Sequence, residues 1–212
     1  STGSFLSIVP TSVENWRNIV LFGKNSACYK FALAKSLLEL APEGREVITL
    51  PELAPSFSKH VCEHLANVDR QATSTSSKFL DACRYYNAGR INEQELIDAT
   101  VFHAFNDVVR RFHNVPDGPV STPFYIDETS KSAKGLRLTD EIFMLAGSTE
   151  AVSLNSEVEA RWNLVEEAWE QGGNRKQTIV LYDAQRELLV PALTGRRRPI
   201  AEFRPAFNGY QK

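Results

Sequence analysis

The chain has 212 residues, 42% of them hydrophobic, a formal net charge of −2 and three cysteines. That is enough apolar material for a sizeable core, which excludes a disordered chain, and no apolar run approaches the roughly 18 residues a bilayer crossing needs. The charge is unevenly spread: residues 174–212 hold eight Lys or Arg against three Asp or Glu, leaving 16 against 23 in residues 1–173. A polyanion, if one binds, is therefore expected at the C-terminal end.

Ser1-Thr2-Gly3-Ser4 reads as a tag or processing scar, and residues 1–10 as a flexible start outside the fold. Thr11-x-x-Glu14 forms a capping box for a helix to about Phe22, ended by Gly23, and Asn25 caps a second helix to about Ala41. In that helix Ala27, Phe31, Ala34, Leu38 and Ala41 share a face that Leu33, Leu37 and Leu40 widen, so it is expected at the centre. Thr49-x-x-Glu52, with Pro51 in the first turn, opens a third helix to about Asp69, and a polar stretch from Gln71 to Ser77 follows.

Residues 77–88 read as a helix stopped by Gly89. Asn92-x-x-Glu95 then caps one long helix along Ile97, Val101, Ala104, Phe105, Val108 and Phe112. Beyond the Pro116-Asp117-Gly118-Pro119 break, residues 123–127 and 135–138 form two short strands around a polar loop, and Thr139 restarts a helix. Asn155 or Ser156 opens a helix striped by Val158, Trp162, Val165 and Trp169, with an acidic opposite face and Gly172-Gly173 at its end. Residues 178–182 and 187–190 alternate as a hairpin, Thr194-Gly195 turns the chain, and Arg196–Arg198 with residues 204–212 read as a last strand pair.

The expected fold is mainly α, with a small β insertion and a C-terminal β-hairpin, α+β overall: a helical domain over 11–173 and a basic β appendage over 174–212. The widely spaced Cys28, Cys62 and Cys83 read as buried thiols of a reduced, cytoplasmic protein.

Chemistry is sparse. His60-Val61-Cys62-Glu63-His64 matches the H-x-x-E-H pattern of inverted zinc peptidases, with Glu141 available as a distal ligand, while Leu53, Phe57, Val61 and Leu65 on the same helix point to a packing role. His103 and His113, beside the apolar stripe of the long helix, read as structural. Gly23-Lys24-Asn25-Ser26 puts a lysine at a helix entrance where backbone N–H groups could hold an anion, without the glycines of a P-loop. The stronger polyanion candidate is the cluster Arg175, Lys176, Arg196, Arg197, Arg198, Arg204 and Lys212, read as nucleic-acid-binding.

Residues 16–40 (Trp-Arg-Asn-Ile-Val-Leu-Phe-Gly-Lys-Asn-Ser-Ala-Cys-Tyr-Lys-Phe-Ala-Leu-Ala-Lys-Ser-Leu-Leu-Glu-Leu), the block from Glu159 to Trp169 and the segment from Arg204 to Lys212 resemble the N-terminal region of bacterial HNH endonuclease-domain proteins of the restriction or phage-defence type. In that family the Asn-Gly-Tyr-Gln segment, here Asn208 to Gln211, runs into a Cys-x-x-Cys zinc element and the His/Asn/His nuclease motif. The resemblance implies a region that recognises DNA or positions the nuclease, with zinc and a divalent metal belonging to that module. The zinc cysteines, metal histidines and general base have no counterpart in these residues, so no catalytic position carries over and this chain alone is not expected to cut DNA. The other class of reading is a protein-interaction or regulatory module whose acidic body docks on a partner of the same defence system.

Overall fold

A computed structural model describes residues 11–23 and 25–171, together with the backbone of 179–183 and 188–192. The chain divides into two units, Ser1–Gly173 and Asn174–Lys212. The described part is α+β and mainly helical, as expected.

In the first unit, α1 (Ser12–Phe22) and α3 (Leu50–Asn67) each start on the expected capping box, Thr11 with Glu14 and Thr49 with Glu52. Each box satisfies two of the N–H groups a helix start leaves unpaired. Between them, α2 (Tyr29–Leu40) is buried on nearly every side and packs against α1, α3 and the later helices, which makes it the centre of the core. It begins three residues later than an Asn25 cap predicts. The Cys28 N–H is spent on Gln71 O at 3.0 Å and the Thr73 N–H on Ser26 O at 2.8 Å, tying residues 26–28 to residues 71–73 as a small bridge.

The next helices are α4 (Lys78–Asn87), capped by Ser77, and α5 (Glu93–His103), capped by Asn92. The single long helix expected from Asn92 is interrupted at Ala104, and α6 (Phe105–Arg111) continues beyond it. Just before the break the Thr100 hydroxyl donates back to Leu96 O at 2.7 Å, a bond that bends helices. The break moves burial from Leu96 and Thr100 onto Phe105, Val108, Val109 and Phe112.

Strands β1 (Val47–Thr49), β4 (Tyr125–Glu128) and β5 (Gly135–Leu138) form an antiparallel sheet in the order β1-β5-β4, and β2 (Asn114–Val115) with β3 (Gly118–Pro119) makes a separate short ladder. Ile48 faces Leu136 and Thr49 faces Gly135. Gly135 is required there, because a Cβ would sit 2.3 Å from Ile48 O. α7 (Asp140–Gly147) follows, and Ser12 Oγ donates to its Glu141, tying it to α1.

The last helix of the unit, α8 (Ala151–Glu170), begins four or five residues before the expected start. Asn155 and Ser156 lie within it on the solvent side, while Leu154 and Val158 are buried, so polar residues read as the helix opening belong to an exposed face. The predicted stripe Val158, Trp162, Val165 and Trp169 is buried. In the second unit, β6 (Ile179–Asp183) and β7 (Leu188–Ala192) pair antiparallel as the hairpin read from the sequence, with Tyr182 opposite Leu189. The helix stop at Gly172-Gly173, the turn at Thr194-Gly195 and the final strand pair lie outside the described residues.

Candidate functional site

α3 carries His60 and His64 one turn apart, and the fold gives them different surroundings. His64 is buried. Its Nδ1 lies 2.7 Å from Glu166 Oε1 and its Nε2 2.9 Å from Glu159 Oε1, both on α8. With a carboxylate at each nitrogen, both must donate, which makes the ring an imidazolium. Burial alone would depress its pKa, but the hydrogen bonds to Glu159 and Glu166 outweigh that and raise it to about 9. Glu159 is lowered to about 2, chiefly by the bond from His64 and then by Lys35, whose Nζ is 2.6 Å away.

The other oxygen of Glu166 accepts from Gln71 Nε2 at 2.5 Å, and Gln71 Oε1 accepts from Trp162 Nε1 at 2.9 Å. All three helices of this network, α2, α3 and α8, are thereby locked to the 68–73 segment. Charged groups this well paired can sit in a core, where an unpaired one would cost several kcal/mol.

His60, expected from the sequence near solvent, has a side chain only 12% exposed. Its Nε2 lies 2.7 Å from Glu39 Oε2, which Ser56 Oγ also reaches at 3.2 Å. Burial raises Glu39, yet the His60 hydrogen bond and the Ser56 hydroxyl hold it below the ordinary carboxylate value, so it stays ionised. Glu63 is 3.9 Å from His60 Nδ1 and exposed. The H-x-x-E-H residues therefore point their nitrogens at carboxylates, and among the described residues no group of three or more His, Cys, Asp or Glu side chains is arranged to hold a metal ion.

Beside His60 opens a groove of about 700 Å³ between α2, α3, α4 and α5. Leu40, Pro55, Cys62, Ala66, Leu96 and Ile97 supply apolar lining, with Tyr86 at the edge. Among the described residues, Glu39, Glu52, Glu63 and Glu93 surround it against a single lysine, Lys59. A smaller hollow of about 370 Å³ at the start of α4 is lined by Ser26, Thr73, Ser74, Ser76 and Ser77 with Lys78 and His103. Its hydroxyls are largely bonded locally, Tyr29 to Ser77 at 2.7 Å and Thr73 to Ser26 O at 3.1 Å.

The Gly23–Ser26 segment is not a helix entrance, since α2 starts at Tyr29, and Lys24 lies outside the described residues. Instead Gly23 O accepts from the buried Lys30 Nζ at 3.2 Å and Leu21 O from Arg161 Nη2 at 3.2 Å, so two cations meet the carbonyl end of α1. Burial, and then the nearby Arg161, lowers Lys30 to about 7. Arg161 Nε and Nη1 are buried with no partner among the described residues. His113 is structural as expected: Nε2 accepts from the Phe124 N–H at 2.9 Å, and burial lowers its pKa to about 4, keeping it neutral. Cys28, Cys62 and Cys83 are free and buried.

Arg175, Lys176, Arg196, Arg197, Arg198, Arg204 and Lys212 lie outside the described residues. Sequence reading missed Glu39, Gln71, Glu159 and Glu166. The available signal was spacing: Glu159, Trp162 and Glu166 recur at i, i+3 and i+7, on one helix face with an aromatic between the two acids. No described helix is long and apolar enough to cross a membrane. Searches of protein-family models, curated proteins and solved structures find no match to the chain.

Proposed function

We propose that this chain is the recognition and positioning region of an HNH-type DNA endonuclease of bacterial restriction or phage defence, with the cutting chemistry in a module outside these residues. The observation that carries the reading is the division of charge between the two units: eight basic against three acidic residues in 174–212, and 16 against 23 in 1–173. Phosphate contacts supply most of the affinity of such modules and orient them on a duplex. Arg196, Arg197 and Arg198 are the residues assigned to that contact, with Arg175, Lys176, Arg204 and Lys212 beside them.

The test is duplex-DNA binding at low salt by the full chain and by the triple charge reversal R196E/R197E/R198E. Affinity is expected to fall roughly tenfold or more. Undiminished binding by the reversed variant removes the triplet from the interface.

A second reading, a body that docks on a partner protein of the same system, is supported by a different observation, the carboxylate-rimmed groove beside His60. The two readings are compatible, because they use different parts of the chain.

A further inference from the structure

We infer that the groove between α2, α3, α4 and α5 is a docking site for a basic amphipathic helix of a partner protein, with aliphatic side chains on the apolar lining and Lys or Arg on the carboxylates. The inference rests on the second reading above, that the folded body docks on a partner, and names the surface and the chemistry of what it takes.

Three observations support it. The hollow holds about 700 Å³, and its walls are turns of four helices, a form that receives the apolar face of another helix. Its accessible apolar lining comes from Pro55 and Ala66, which are exposed, and Leu40 and Ile97, which are half-buried, beside the buried Leu96 and Cys62. Tyr86, 38% exposed at the edge, is the kind of large amphipathic side chain that interfaces favour.

Charge chooses the occupant. Glu52 is partly answered by Arg45 at 3.0 Å and Glu39 by His60 at 2.7 Å. Glu63 has only the distant His60 Nδ1, at 3.9 Å, and Glu93 makes no side-chain bond or ion pair among the described residues. Among the described residues, Lys59 is the only lysine in the lining. A nucleic acid is repelled from such a rim, and an acidic or neutral helix would leave the carboxylates unanswered, whereas a basic helix gains both attraction and register. The groove is thus suited to a partner opposite in sign to the one proposed for residues 174–212.

The experiment uses the full chain and a fluorescent synthetic helix of Leu and Lys at helical spacing, with a Leu/Glu helix as control, read by anisotropy. The variants are Glu63→Lys with Glu93→Lys, and separately Tyr86→Ser, an exposed position that tests the apolar share; melting curves confirm that each is folded. Sedimentation of the same samples reports self-association. The expected result is binding of the Lys helix alone, weakened at least roughly tenfold by the double reversal and to a lesser degree by Tyr86→Ser. Binding that survives the double reversal overturns the groove while leaving the docking reading intact. Absence of binding to wild type and variants alike overturns both, and self-association abolished by the reversal assigns the groove to a second copy instead.

Discussion

The imidazole of His64 lies flat on the indole of Trp162, with ring centroids 3.5 Å apart and planes 1° from parallel. The two rings close a circuit: His64 donates to Glu166, Glu166 accepts from Gln71, and Gln71 accepts from Trp162. The imidazolium therefore has a carboxylate at each nitrogen and an aromatic face beneath it, so its charge is met in three directions. It joins α3 to α8, the last helix of the first unit.

Replacing one member should cost more than replacing two. His64→Phe keeps a ring on Trp162 but leaves Glu166, 3% exposed, without its cation, and is expected to destabilise the fold by about 3–5 kcal/mol. His64→Phe with Glu166→Leu removes both charges and should recover part of that loss. Urea denaturation of the wild type, both single variants and the double checks it. Simple additivity would mean that the two groups are not coupled.

The pH dependence should show two buried basic groups acting in opposite directions. His64 is held at about 9, above its ordinary 6.5, so its contribution is complete below about pH 6.5 and is lost as pH rises through 9. Lys30 is lowered from 10.5 to about 7, so the unfolded chain binds more protons between those values and stability rises with pH there. Between pH 7 and 9 the slopes oppose one another, and the wild type should be nearly flat. Lys30→Met removes the rising component, and its unfolding free energy from urea titration is expected to fall across that window by about 1 kcal/mol per pH unit. A free energy that stays level in Lys30→Met contradicts a charged His64.

Features set by neighbouring residues were legible in the sequence. The boxes at Thr11/Glu14 and Thr49/Glu52 need only a few residues of chain to form, and the stripe through Trp162 follows from periodicity. What escaped reading depends on distant pairing. β1 is three residues long and becomes a strand only because β5 lies beside it, nearly ninety positions on. Glu166 sits in an acidic run that looks solvated, yet it is buried because His64, 102 residues earlier, supplies its counter-charge. The groove likewise gathers carboxylates from separate helices, which no local pattern announces. The blocks around Lys30–Lys35 and Glu159–Trp162, on which the proposed HNH-type origin partly rests, are helix-packing sequences without chemistry of their own.

The β1–β5 pairing can be tested at one atom. A methyl group at Gly135 would lie 2.3 Å from Ile48 O and 2.8 Å from Thr49 Cα, both backbone, so it cannot be accommodated without opening the strand pair. Gly135→Ala is expected to cost about 3 kcal/mol, visible as a lowered melting temperature. Gly89→Ala is the control: φ is +70° but nothing lies within 4 Å of the added carbon, so only left-handed strain applies, about 1 kcal/mol. Equal losses in the two variants would remove the close approach as the cause.

The proposed DNA contact makes a prediction independent of absolute affinity. Each phosphate neutralised by a cationic side chain releases counterions, so the logarithm of the binding constant falls with the logarithm of salt at a slope of about −0.9 per contact on B-DNA. If Arg196, Arg197 and Arg198 each neutralise one phosphate, R196A/R197A/R198A should flatten that slope by about 3, whatever the duplex sequence. Glu63→Lys with Glu93→Lys, in the other unit, should leave the triplet's share of the slope unchanged: the same flattening is expected when the arginines are removed in that background. Titrations at several salt concentrations distinguish the cases. An unaltered slope in the arginine variant would make the triplet a solvated surface.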